Sequence, residues 1–152
     1  MLLDESDRPF PKLGRVSLPS ICHDSNLSRV GASDNPGAIH LTTARDYGTF
    51  VRWLLGAEPV SGGRAILDRM TIQRSTINEA LGWGSGIGLE HADGRNYVWH
   101  WGDNPGFKNF VVGEPATGSA MVIFTNGNAG QRVYERVVRA RTGVDHPAFL
   151  WL

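Results

Sequence analysis

Between residues 43 and 56 the apolar positions return every three to four residues. Ala44, Tyr47, Val51, Leu54 and Leu55 fall on one face, with Phe50 alongside, which is the spacing of an amphipathic helix. Thr43 stands where an N-cap belongs, with Asp46 three residues on as a variant of the capping box, and Gly56 is a natural stop. A second helix is predicted over residues 63–70 from Ala65, Ile66, Leu67 and Met70, while residues 71–81 fit no period cleanly and are assigned to helix. From Gly82 the rhythm shortens. GWGSGIGLEH, YVWHWG, KNFVVG and SAMVIFTNG predict four strands in an antiparallel meander, punctuated by Asp93-Gly94 and by the turn residues 114–118. In the last strand Met121, Ile123 and Thr125 alternate with Val122 and Phe124, so both faces are apolar and a place in the sheet centre is expected. GQRVYERVVRARTG predicts a final helix with Val133, Val137 and Ala140 on its apolar face. The tail from Phe149 to Leu152 is too apolar to be left in water. The expected class is α/β of the α+β type, an antiparallel sheet of about four strands flanked by helices.

Residues 1–36 break this regularity. They hold Pro9, Pro11, Pro19 and Pro36 with Ser, Asp and Asn between them and sustain neither period, so they read as an irregular N-terminal arm ahead of a partial domain at 37–152. Fifteen basic side chains balance fifteen acidic ones, which gives no electrostatic case for nucleic acid or an anionic membrane. The single cysteine, Cys22, excludes an internal disulfide framework. Its neighbour His23 is a poor candidate base, because adjacent residues of an extended segment point to opposite faces. The start lacks the charged and apolar regions of a signal peptide, and no stretch has transmembrane length, so a cytoplasmic location is expected. His23, His40, His91 and His146 show no metal-ligand spacing. No metal or cofactor is expected.

Chemistry concentrates at residues 97–110, YVWHWGDNPGFKNF, where an aromatic and β-branched strand runs into Gly, Asp, Asn and Pro turn residues. Of Trp99 and Trp101, expected on opposite faces, one would line a groove and the other would pack. WHWGDNPGF is followed after a strand by EPATGSAMVIFTNG and preceded by GAIHLTTARDYGTFVRWLLG. In this order the segments resemble the serine β-lactamase, penicillin-binding protein and class C-like esterase superfamily over residues 37–140. The resemblance implies a mixed α/β domain with a central antiparallel sheet, of which this chain supplies the C-terminal portion.

In that superfamily a strand-borne K-T-G or H-x-G triplet lines the active site, and His100-Trp101-Gly102 stands in its place. The resemblance then implies that His100 polarises the nucleophile's surroundings or meets a substrate carboxylate. Gly102 would let the strand pass close to the acyl group, and the Asp103 backbone N–H would be one of two oxyanion-hole donors. Trp101 and Asn104 would contact substrate. Against this stands the plainer reading, in which a histidine between two tryptophans is a packed or surface residue. The family nucleophile, Ser followed three residues later by Lys, is missing: three residues before Lys12 and Lys108 stand Pro9 and Pro105. No Tyr-x-Asn or Tyr-x-Ser base is present either, since Tyr47, Tyr97 and Tyr134 lead to Thr49, Trp99 and Arg136.

The expectation is a truncated relative of a serine hydrolase, inactive alone. Alternatives are a module that binds a small carboxylate or peptide in the remnant groove, and the C-terminal half of a split hydrolase. A homodimer is expected, because a half-domain exposes a sheet edge and apolar faces that the arm or tail of a second copy could cover.

Overall fold

The computed structural model describes residues 42–57 and 60–152. The expectations for the arm at 1–36, the boundary at 36/37, Cys22, His23 and His40 lie outside the described residues.

Helix α1 (Ala44–Leu54) starts as its sequence requires. The Asp46 N–H donates to Thr43 Oγ1 at 3.1 Å, and the Thr43 hydroxyl donates to Asp46 Oδ2 at 2.9 Å. Val51, Leu54 and Leu55 are buried, whereas Ala44 and Phe50 are exposed, so the buried stripe is narrower than the apolar pattern. Helix α2 (Gly63–Met70) buries Leu67 almost completely and leaves Ile66 exposed.

Among the described residues the sheet has six strands, all antiparallel and in chain order: β1 (Ser75–Thr76), β2 (Leu81–Trp83), β3 (Gly88–Ala92), β4 (Arg95–Asn104), β5 (Phe107–Glu114) and β6 (Ser119–Thr125). Four were expected. The difference arises because Gly84–Ile87 folds back within GWGSGIGLEH, with Gly84 N–H donating to the Ile87 carbonyl at 2.9 Å, and because residues 71–81 are not helical. There Asn78 Oδ1 accepts the N–H groups of Ala80 and Leu81, each at 2.9 Å. This side-chain turn diverts the backbone from a helix and leaves β1 to pair with β2.

Strand β6 is an edge strand of the described sheet, not a central one. Its two apolar faces have another cause. Met121 and Ile123 pack on the core under helix α3 (Gly130–Thr142), while Val122 packs on the core under α1. Helices on both faces, not strands on both edges, account for the continuous apolar run.

Helix α3 also buries a different stripe from the one expected. Gly130, Tyr134 and Val138 face the sheet, and Val133, Val137 and Ala140 face outward. Both stripes satisfy the helical period, and packing chooses between them. The Tyr134 ring stacks on Phe110 at 5.1 Å. Gly130 lies so close to the sheet that an added Cβ would sit 1.8 Å from Thr125 Oγ1. Helix α4 (Ala148–Trp151) returns the tail to the chain's own core, with the Phe149 ring 4.8 Å from Phe110 and only Leu150 almost fully exposed. Among the described residues no helix is long and apolar enough to cross a membrane.

Candidate functional site at the open end of strand β4

Strand β4 outruns its neighbour. Its pairing with β3 ends at Gly88↔Trp99, whereas its pairing with β5 continues to Asn104↔Phe107. Two hairpins fix which backbone groups face which way. Asp93 and Gly94 have φ of 51° and 70°, and Gly106 has φ of 80°, so both loops have two residues and their flanking pairs, Ala92↔Arg95 and Asn104↔Phe107, exchange hydrogen bonds. Hydrogen-bonded pairs alternate in an antiparallel ladder. The odd residues of β4 therefore direct N–H and C=O toward β3 and the even ones toward β5. Past Gly88 there is no β3 left to meet, and the backbone groups of Trp101 and Asp103 face off an open edge.

The side chains around this edge divide sharply. His100 is exposed, and its Nδ1 is 2.8 Å from the Trp101 carbonyl. A carbonyl only accepts, so Nδ1 carries the proton. Nε2 has no protein partner among the described residues. Trp101 is half-buried in a box of four tryptophans: its ring lies 5.9 Å from Trp99, 5.8 Å from Trp83 and 5.2 Å from Trp151. The expectation that Trp99 and Trp101 take opposite faces is wrong, because residues two apart on a strand share a face. Both join the same core.

The box exists because of Gly88. Trp83, Gly88 and Trp99 are cross-strand neighbours, and the two indoles meet over the missing side chain at 5.2 Å. A Cβ on Gly88 would lie 2.3 Å from the Trp99 ring.

Gly102 is less constrained. Its nearest neighbour to an added Cβ would be Asn109 at 3.6 Å, an ordinary contact. The Asp103 carboxylate pairs with Lys108 directly opposite. Asn104 is exposed at the hairpin tip, which is tied down by Gly106 N–H donating to Asn128 Oδ1 at 2.8 Å. The structure thus brings His100, Trp101 and the Asp103 backbone together along one edge.

A second polar cluster escaped the sequence reading. Glu90 and His146 are both buried, with His146 Nδ1 2.7 Å from Glu90 Oε1 and their side chains fully enclosed. One proton lies between Nδ1 and Oε1 in this pair. Glu90 Oε2 accepts the Ala148 N–H at 3.4 Å. Tyr97, opposite Glu90 in the sheet, packs its ring 4.8 Å from the imidazole. Burial pushes the Tyr97 phenol above its ordinary value. Arg95 opposes the rise, while Glu114, Asp93 and Glu90 add to it. Tyr97 Oη and His146 Nε2 are buried without a hydrogen-bond partner, an arrangement that costs roughly 1–3 kcal/mol per group. One signal was visible: Glu90 occupies the inward beat of Gly88, Glu90 and Ala92. His146 lies 56 residues away and gave none.

Among the described residues no group of three or more His, Cys, Asp or Glu side chains gathers to hold a metal. Comparison with protein-family models and with curated proteins finds no match.

Proposed function

We propose that these 152 residues carry one wall of a serine-hydrolase-type acyl site, of the kind used by the superfamily they resemble, and do not hydrolyse substrate by themselves. The observation that supports this is the open edge of β4, where the Asp103 N–H faces outward beside His100. An oxyanion donor contributes about 3–4 kcal/mol to a transition state, but only where a nucleophile creates the oxyanion. The sequence contains no Ser-x-x-Lys and no Tyr-x-Asn or Tyr-x-Ser. A serine hydrolase stripped of nucleophile and base keeps roughly a thousand- to ten-thousandfold advantage over water, from its oxyanion hole and substrate binding. One donor and one histidine would keep less. Purified protein mixed with nitrocefin or a p-nitrophenyl ester is expected to leave both at close to the buffer rate. Fast turnover would overturn the proposal.

The same edge supports a second reading, in which it holds an extended peptide or a small carboxylate. Outward N–H and C=O groups at alternate residues are what an added strand pairs with, and the free Nε2 of His100 offers a further polar contact. Binding of a short peptide that is lost in His100→Ala would favour this reading, and binding unchanged in that variant would count against it. A separate polypeptide that supplies the nucleophile would turn either wall into a working enzyme. The outer edge of β6, unpaired among the described residues, supports a homodimer. Light scattering should return twice 16.6 kDa, and the monomer mass would contradict it.

A further inference from the structure

At the opposite end of the sheet from the tryptophan box, a cleft of about 310 Å³ opens between β4, β5, β6 and the end of α3. This volume lies in the range of small-molecule sites. Tyr97 and His146 line it, and Tyr97 Oη and His146 Nε2 are both sealed from water without a protein partner, as Trp99 Nε1 is away from the cleft. Each side chain is more than nine-tenths buried. His146 is held in one orientation by Glu90, so its Nε2 is pre-set. The charged groups around the cleft are Arg95, Glu114 and Arg141. Arg95 is engaged with Asp93 at 3.2 Å and Glu114 at 3.8 Å, and Glu114 also accepts from the Thr117 hydroxyl at 3.1 Å. Arg141, at the exposed end of α3, lines the cleft and makes no ion pair among the described residues. Val112, Ala120 and Met121 supply an apolar wall.

We propose that this cleft binds a small carboxylate with an apolar body, its oxygens taken by the Tyr97 hydroxyl and the Arg141 guanidinium and its body set against Val112 and Met121. The Tyr97 phenol stays protonated at neutral pH and so acts as donor. The site is separate from the β4 edge and does not depend on how that edge is used.

Benzoate and its uncharged analogue benzamide, titrated into the 152-residue chain and followed by calorimetry or amide chemical shifts, test this directly. Benzoate should bind saturably. Arg141→Ala, a surface change whose fold is checked by circular dichroism, and Tyr97→Phe, which removes only the hydroxyl, should each weaken it about tenfold. Benzamide should bind at least about tenfold more weakly than benzoate. His100→Ala should leave benzoate binding unchanged, which separates this cleft from the β4 edge. Absence of saturable binding, equal affinity for benzamide, or full affinity in both cleft variants would overturn the proposal.

Discussion

His100 and His146 serve the same sheet in opposite circumstances. His100 stands in water at a strand end, its ring steadied by a bond to the next carbonyl and by contacts with the Trp101 and Trp83 rings, and its Nε2 is open to a visitor. His146 is enclosed, clamped by a carboxylate from a strand 56 residues away, with its Nε2 sealed in. The open histidine lies against the rim of the tryptophan box and keeps one nitrogen facing water. The enclosed one ties the C-terminal tail to β3 and to the centre of the sheet, and its loss should be felt in folding first. The two ends of the molecule therefore separate cleanly by experiment, since changes at the β4 edge should alter binding with little cost in stability and changes at Glu90 or His146 should do the reverse.

The largest effect expected is at Glu90. Replacing it with Leu leaves His146 buried with neither nitrogen satisfied and takes the acceptor from the Ala148 N–H, and each buried group so orphaned costs about 1–3 kcal/mol. Denaturant unfolding should show that loss. The double change Glu90→Leu with His146→Leu should recover most of it, because apolar replacement of a whole buried pair is often neutral or stabilising. A double variant as weak as the single one would mean that the pair does more than satisfy itself.

Gly88→Ala comes next. A methyl group driven into the Trp99 indole should cost about 1–3 kcal/mol, as overpacking does, and should shift tryptophan fluorescence because the box of four indoles is rearranged. Unchanged stability and fluorescence would show that the indoles do not close over Gly88.

A smaller effect is expected at Tyr97, and it depends on pH. Burial raises its folded-state value above the ordinary one near 10. The neutral phenol's contribution is therefore complete below about pH 10 and is lost as pH rises further, because the folded state resists ionisation. Tyr97→Phe should flatten that alkaline loss. At neutral pH it should leave stability unchanged or raise it by up to roughly 1 kcal/mol, since the hydroxyl it removes has no partner. Part of the alkaline loss should remain, because burial also raises Tyr47 and Tyr134.

The same division explains what the sequence made legible. The α1 cap, the two hairpin turns and the course of β4 and β5 are written in consecutive residues, and each was readable: Thr43 with Asp46, Asp93 with Gly94, the aromatic run into Pro105 and Gly106. What failed depended on partners distant in sequence. The outward turn of Val133 and Val137 was settled by Phe110 and Thr125, which choose Tyr134 and Gly130 for the inner face. The edge position of β6 was hidden because helices on two sides give the same apolar run as strands on two sides. The candidate residues His100 to Asn104 could be named together because one strand carries them all. Glu90 and His146 were missed because no spacing links them.

The central claim, a substrate wall without its nucleophile, is tested most directly by intact-mass spectrometry of the purified chain after incubation with an excess of a β-lactam and, separately, of an activated ester. The protein should keep its 16.6 kDa mass through both incubations. A stoichiometric acyl adduct that localises to one serine and disappears in the His100→Ala variant would contradict the claim, because it would show a working nucleophile within these residues.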